Sequence, residues 1–167
     1  SSYTHQVGLI SFDNASTTHA ELSDDITSIK STVEGLYASG GTGMADGLSD
    51  AIDMVAPMDQ SYSKMIILLS DGLPNIGLGG MQGLDENEVF SEVINLAGKA
   101  RSNGICIHTV GLGLPAGSSG AAYSMNVDLL KQIAAESGCG NYYDANNALE
   151  LANAFIEIRH ASLGEIL

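Results

Sequence analysis

Two short motifs place hard oxygen donors where strands should end. GGTG, residues 40–43, presents Thr42 just ahead of a segment with helical spacing, and LSDG, residues 69–72, presents Asp71 at the end of the most apolar run in the chain. A neutral hydroxyl and a carboxylate converging at the ends of a sheet suit a small hard cation that keeps waters and an open position, such as Mg2+. Each motif also has an ordinary reading, because Asp-Gly makes turns and Thr caps helices.

Other candidate chemistry fails on spacing. GTGMADG, residues 41–47, resembles a glycine-rich dinucleotide fingerprint, yet the residues before it (STVEGLYASG) are not strand-like, and such a fingerprint must follow a strand. Ser70 stands at a strand end as a hydrolase nucleophile would, but Leu68 occupies the place of the required preceding glycine. His108 lies inside an apolar run, where a hydrogen-bonded core histidine is the expected reading rather than a general base.

The elements that position these residues can be read from apolar periodicity. Residues 7–12 (VGLISF), 65–70 (MIILLS) and 105–110 (ICIHTV) are short apolar runs of the kind buried on both faces of a parallel sheet. Residues 141–144 (NYYD) make a fourth, shorter strand. Helical spacing fills the intervals at 45–55, 89–101, 127–137 and 149–159, with Asn103-Gly104 as a stop and Asn126 as the N-cap of the third. Residues 15–29 read as a short edge strand followed by a helix beginning near Ser23 or Asp24. Strand and helix alternate, which predicts right-handed crossovers with helices on both faces of the sheet. Two long loops, 72–88 and 111–126, directly follow strands and so belong to the carboxyl end of the sheet, where such folds bind ligands.

Cys106 and Cys139 are too few for a disulfide scaffold and lack metal-ligand spacing. One begins a predicted strand and the other just precedes its neighbour, which allows a disulfide between the amino ends of adjacent parallel strands. Two buried free thiols is the simpler reading, since cysteine is often just a small core residue.

Composition bounds the function classes. The chain has 167 residues, 44% of them apolar, enough for one domain with a proper core. It carries 20 acidic residues against 6 basic, a net charge of −14, which repels phosphate backbones and argues against a nucleic-acid partner. No apolar run approaches the roughly 18 residues of a membrane span. The acidity and the abundance of Ser, Thr and Gly lean towards an extracellular or cell-surface protein.

Taken in order, VGLISFDNA, GGTGMADGLSDAI, KMIILLSDGLPN, GICIHTVGLG and LLKQIAAESGCGNYYDA resemble the von Willebrand factor type A domain family, from Val7 to about Ile158. The resemblance implies a Rossmann-like, three-layer α/β/α fold with a mostly parallel central sheet and one short antiparallel edge strand. It implies a protein-binding or adhesion module, not an enzyme. In that family a divalent cation, Mg2+ or Mn2+, takes a carboxylate from a protein partner as a ligand. Thr42 and Asp71 match the family's metal-site threonine and aspartate, and Asp13, Asn14, Gly41 and Gly72 fall on the rim around them. A metal-independent scaffold inside a larger assembly of chaperone or ATPase type is the alternative.

One family feature is missing from these residues. The family opens with a strand ending in Asp-x-Ser-x-Ser, which supplies the rest of the metal shell, and a helix after it; no predicted strand of this sequence ends in that motif, whose spacing occurs only at residues 59–63 (DQSYS), ahead of the 65–70 run and not after a strand. The 167 residues are thus expected to form a single domain short of its first strand and helix, binding metal weakly or not at all alone. That strand would be central, between residues 7–12 and 65–70, and would bury four to six large side chains at roughly 1.5–3 kcal/mol each. The sum is on the order of 10 kcal/mol, as large as a domain's net stability. A further segment or chain is therefore expected to fill the slot.

Overall fold

A computed structural model of the chain describes residues 5–37, 39–71, 73–113 and 121–163, the side chains of 121–125 and 162–163 excepted. Its elements alternate as β1 (Val7–Phe12), β2 (Ser16–Ser23), α1 (Ile26–Glu34), α2 (Met44–Val55), β3 (Lys64–Ser70), α3 (Glu86–Ser102), β4 (Ile105–Leu112), α4 (Ala121–Glu136), β5 (Tyr142–Ala145) and α5 (Ala148–Leu163). Strands β3, β4 and β5 are parallel, in the order β3-β4-β5.

Side-chain alternation along β3 shows how the layers arise. Lys64, Ile66, Leu68 and Ser70 are buried on one face, while Met65, Ile67 and Leu69 are half-buried on the other. Ile66 and Leu68 join Ile105, Ile107 and the inner faces of α2, α3 and α4 in the larger core. Met65, Ile67 and Leu69 pack with Val110, Ala145 and with Ala154 and Ile158 of α5 in the smaller one. Helices thus cover both faces, the Rossmann-like α/β/α layering expected of the sequence.

The antiparallel element is a separate sheet. β1 pairs with β2 from Phe12↔Ser16 to Val7↔Ser23, and among the described residues neither strand pairs with β3, β4 or β5. Instead α2 packs against β1, β2 and β3 and bridges the two sheets. Gly47 permits the close approach: a Cβ there would lie 2.7 Å from Phe12 Cδ1. The parallel set expected to hold residues 7–12 together with the other three strands is therefore, as described, three strands plus a hairpin.

Helix boundaries follow local capping. Asp25 accepts from the Ser28 amide at 3.0 Å and starts α1 slightly later than Ser23 or Asp24. Asp85 and Glu88 form a reciprocal capping box at the start of α3, and Gly104, at φ 68°, follows its C-cap Asn103. The expected start of α4 was wrong. Asn126 is not an N-cap but lies inside α4, which begins at Ala121; it is buried, and neither side-chain polar atom has a partner among the described residues. The second long loop is correspondingly shorter, and residues 114–120 of it lie outside the described residues.

The free-thiol reading of the cysteines is also corrected. Cys106 and Cys139 form a disulfide with their Cα atoms 5.1 Å apart. The parallel pairing of β4 with β5 explains it, because that pairing brings the start of β4 beside the turn leading into β5.

Candidate functional site

The site is the meeting of three loops at the carboxyl end of the strands. Asp71 follows directly on Ser70, the last residue of β3, and its side chain is exposed. Thr42 lies in the loop before α2 and is half-buried. The Thr42 amide donates to Asn75 Oδ1 at 2.8 Å, and the Asn75 amide donates back to the Thr42 carbonyl at 3.2 Å. The loop after β3 is thereby joined to the loop before α2.

The turn after β1 closes the third side. The Gly41 amide donates to Asn14 Oδ1 at 2.7 Å, and the Gly43 amide donates to the Asp13 carbonyl at 2.5 Å. The Asp13 carboxylate accepts from the Ala15 amide at 3.2 Å and from the Ser39 hydroxyl at 3.3 Å. The Ala15 amide leads the causes that hold the Asp13 carboxyl below its ordinary range; burial opposes it as the next largest, and the Asn14 amide and Ser39 add to the lowering. Asp13, Asn14, Gly41 and Thr42 are therefore brought together as one rim with Asn75. Gly72 lies outside the described residues.

Beyond Asp71, the loop is strapped to two helices by carboxylates. Asp46 of α2 accepts from the Gly79 and Gly80 amides at 2.6 and 3.1 Å, and Glu92 of α3 accepts from the Leu78 amide at 2.8 Å. Sequence reasoning did not find Asn75, Asp46, Glu92 or Ser39. Their partners lie 14 to 34 residues away, so no local pattern marks them.

As donors for a cation, Thr42 and Asp71 are hard oxygens of the type Mg2+ accepts alongside retained water. The nearby side-chain oxygens are already committed: both Asp13 carboxylate oxygens and Asn14 Oδ1 and Asn75 Oδ1 accept protein hydrogen bonds. No group of three or more His, Cys, Asp or Glu able to hold a metal occurs among the described residues. By donor type alone Thr42 and Asp71 match two positions of a hydrated Mg2+ shell, which needs further oxygens to close.

The hydrolase and nucleotide readings find no geometry. Ser70 is in register with Gly111, and His108 with Ile67, so the two side chains stand three residues apart along the strands, about 10 Å. A nucleophile and its base must be within hydrogen-bond reach. The glycines of 41–47 serve close packing within the protein instead of an open phosphate cradle.

A model of the von Willebrand factor type A domain matches residues 1–156, and the chain belongs to that family. No curated relative matches the sequence. Among solved structures it is similar to the vWF domain of the type V pili tip protein Mfa5 from Porphyromonas gingivalis, with a TM-score of 0.72 and 17% identity over 97% of this chain and 81% of that one. The pilus adhesin SpaC from Lactobacillus rhamnosus GG gives 0.70 at 17% identity over 94% of this chain, which spans only 25% of SpaC. The conserved hypothetical protein BatB from Bacteroides thetaiotaomicron gives 0.67 at 19% identity, over 96% and 80%. At these identities the likeness is one of fold.

Proposed function

We propose that this chain is a protein-recognition module, not an enzyme, which binds a partner at the rim formed by Asp13, Asn14, Gly41, Thr42 and Asp71. The observation that carries the reading is the hydrogen-bonded junction of three loops at the carboxyl end of the strands, one of which is the loop after β3 that begins with the exposed Asp71. In an α/β sheet that end is the ligand end. A net charge of −14 repels an acidic partner, and a divalent cation on Thr42 and Asp71 reverses that locally. Mg2+ or Mn2+ then takes a carboxylate of the partner protein as a ligand. That two of the fold neighbours are a pilus adhesin and a pilus tip protein supports adhesion.

The same reading includes a segment or chain that completes the sheet between β1 and β3. Its support is that these two strands do not pair with each other, that Met65, Ile67 and Leu69 are only half-buried, and that α5 exposes Leu149 and Ile156 at 71% and 53%. A strand with a following helix covers such surfaces and adds metal ligands. The disulfide supports an oxidising compartment, extracellular or at the cell surface. No helix among the described residues is long and apolar enough to cross a membrane.

Titration calorimetry with Mg2+ tests the metal reading, on the chain alone and complemented with a strand segment bearing Asp-x-Ser-x-Ser. The expected result is weak binding alone and tight binding when complemented, abolished by Asp71→Ala and weakened less by Thr42→Ala, which removes a neutral ligand. If Asp71→Ala leaves the heat unchanged, the metal-independent scaffold replaces this reading. The commitment of the Asp13, Asn14 and Asn75 oxygens to protein partners is the observation that favours that second reading.

A further inference from the structure

The glycine pair ahead of Thr42 is gripped by two carboxamides. A Cβ on Gly41 would lie 2.9 Å from both Asn14 Oδ1 and Asn75 Oδ1, and 3.0 Å from Ile76 Cγ1. Gly40 has φ 72°, a left-handed conformation that other residues rarely adopt, and a Cβ there would lie 3.2 Å from Asn14 Oδ1 and from Asp13 Cβ. The loop is thus threaded between two side chains from different parts of the chain. Each side chain spends its oxygen on a backbone amide of that loop: Asn14 on Gly41 and Asn75 on Thr42. Neither bond uses the Thr42 hydroxyl.

We infer that Asn14 and Asn75 are positioning residues, a two-sided latch that fixes the backbone of residues 40–42 so that the Thr42 hydroxyl is presented towards the cation. The inference rests on the proposed metal reading and adds to it two residues that touch the loop and not the ion. The physical reason is entropic as well as geometric. A glycine pair is the most mobile backbone available, and an unlatched Gly-Gly-Thr loop would spread the hydroxyl over many positions. Two hydrogen bonds on successive amides remove that freedom before any ion arrives. Asn75 also answers with its own amide on the Thr42 carbonyl, so the loop after Asp71 moves together with Thr42. The two ligand-bearing loops are thereby held as one body.

The test combines amide exchange with Mn2+ binding, the latter read by water-proton relaxation, which reports weak sites. Variants are Asn75→Ala, Asn14→Ala and Asn75→Asp, the last keeping an oxygen acceptor. The Ile107 amide, which donates to Ser137 Oγ in the core, reports global opening. In Asn75→Ala the Thr42 amide should lose protection by roughly threefold to tenfold, the worth of one hydrogen bond, with Ile107 unchanged. Asn14→Ala should do the same at Gly41. Mn2+ affinity should fall by a similar factor in both Ala variants, and Asn75→Asp should restore protection at Thr42. Unchanged protection at Thr42 and Gly41 overturns the latch, and equal loss at Ile107 reduces it to a general structural role. Lost protection with wild-type Mn2+ affinity overturns the positioning claim while leaving the metal reading intact. Absence of Mn2+ binding in the unmodified chain, alone and with the completing strand, removes the metal reading and this claim with it.

Discussion

Reduction of the Cys106–Cys139 bond should cost the domain a large part of its stability. The cysteines are 33 residues apart in sequence, and α4 lies within the loop that they close. Removing a cross-link from a loop of that length returns about 12.5 cal/mol/K of entropy to the unfolded chain, or about 3.7 kcal/mol at 25 °C. β5 gives this local weight, since only four residue pairs, Thr109↔Tyr142 to Leu112↔Ala145, hold it to β4. For a domain of this size about 3.7 kcal/mol corresponds to a fall in Tm of roughly 7–15 °C. The assay is thermal unfolding followed by circular dichroism, with and without a phosphine reductant, with thiol titration to prove that the bond has opened. The Cys106→Ala/Cys139→Ser double variant should melt at the temperature of the reduced protein and be indifferent to reductant. A reduced protein that melts within about 2 °C of the oxidised one would refute the reasoning, because the loop would then be closed by other contacts as firmly as by the bond.

Acidification should weaken the fold through His108. It is buried in β4, burial holds its pKa below the ordinary 6.5, and its Nδ1 accepts from the Asn141 amide, so the folded state requires the neutral ring. The unfolded chain binds the proton more readily, so stability is full above about pH 6.5 and falls as the pH drops from there towards the folded value. Urea midpoints from pH 7.5 to 5 should show this, with the slope reduced in His108→Gln. Gly41→Ala, by forcing a methyl group against both carboxamides, should lower stability by about 1–3 kcal/mol in urea titration. Asp85→Ala breaks the capping box of α3 and should cost about 1 kcal/mol by the same measure.

Periodicity and local turn chemistry determined most of the elements. The apolar runs of β3 and β4, the stripe of α2 and the glycine stop after α3 are dictated by neighbours within a few residues, so they are legible without the fold. The two ligand candidates, Thr42 and Asp71, were legible for the same reason, each being a turn motif beside an element. Asn126 shows the limit: it has the residue type of an N-cap, yet five residues before it continue the helix, and burial replaces capping. Tertiary structure alone decided the rest. Asn75 meets Thr42 across 33 residues, Asp46 meets Gly80 across 34, and Cys106 meets Cys139 across 33, pairings that depend on which strands become neighbours. The separation of β1–β2 from β3–β4–β5 is of the same kind, because a strand's apolar pattern fixes its face but not its partner.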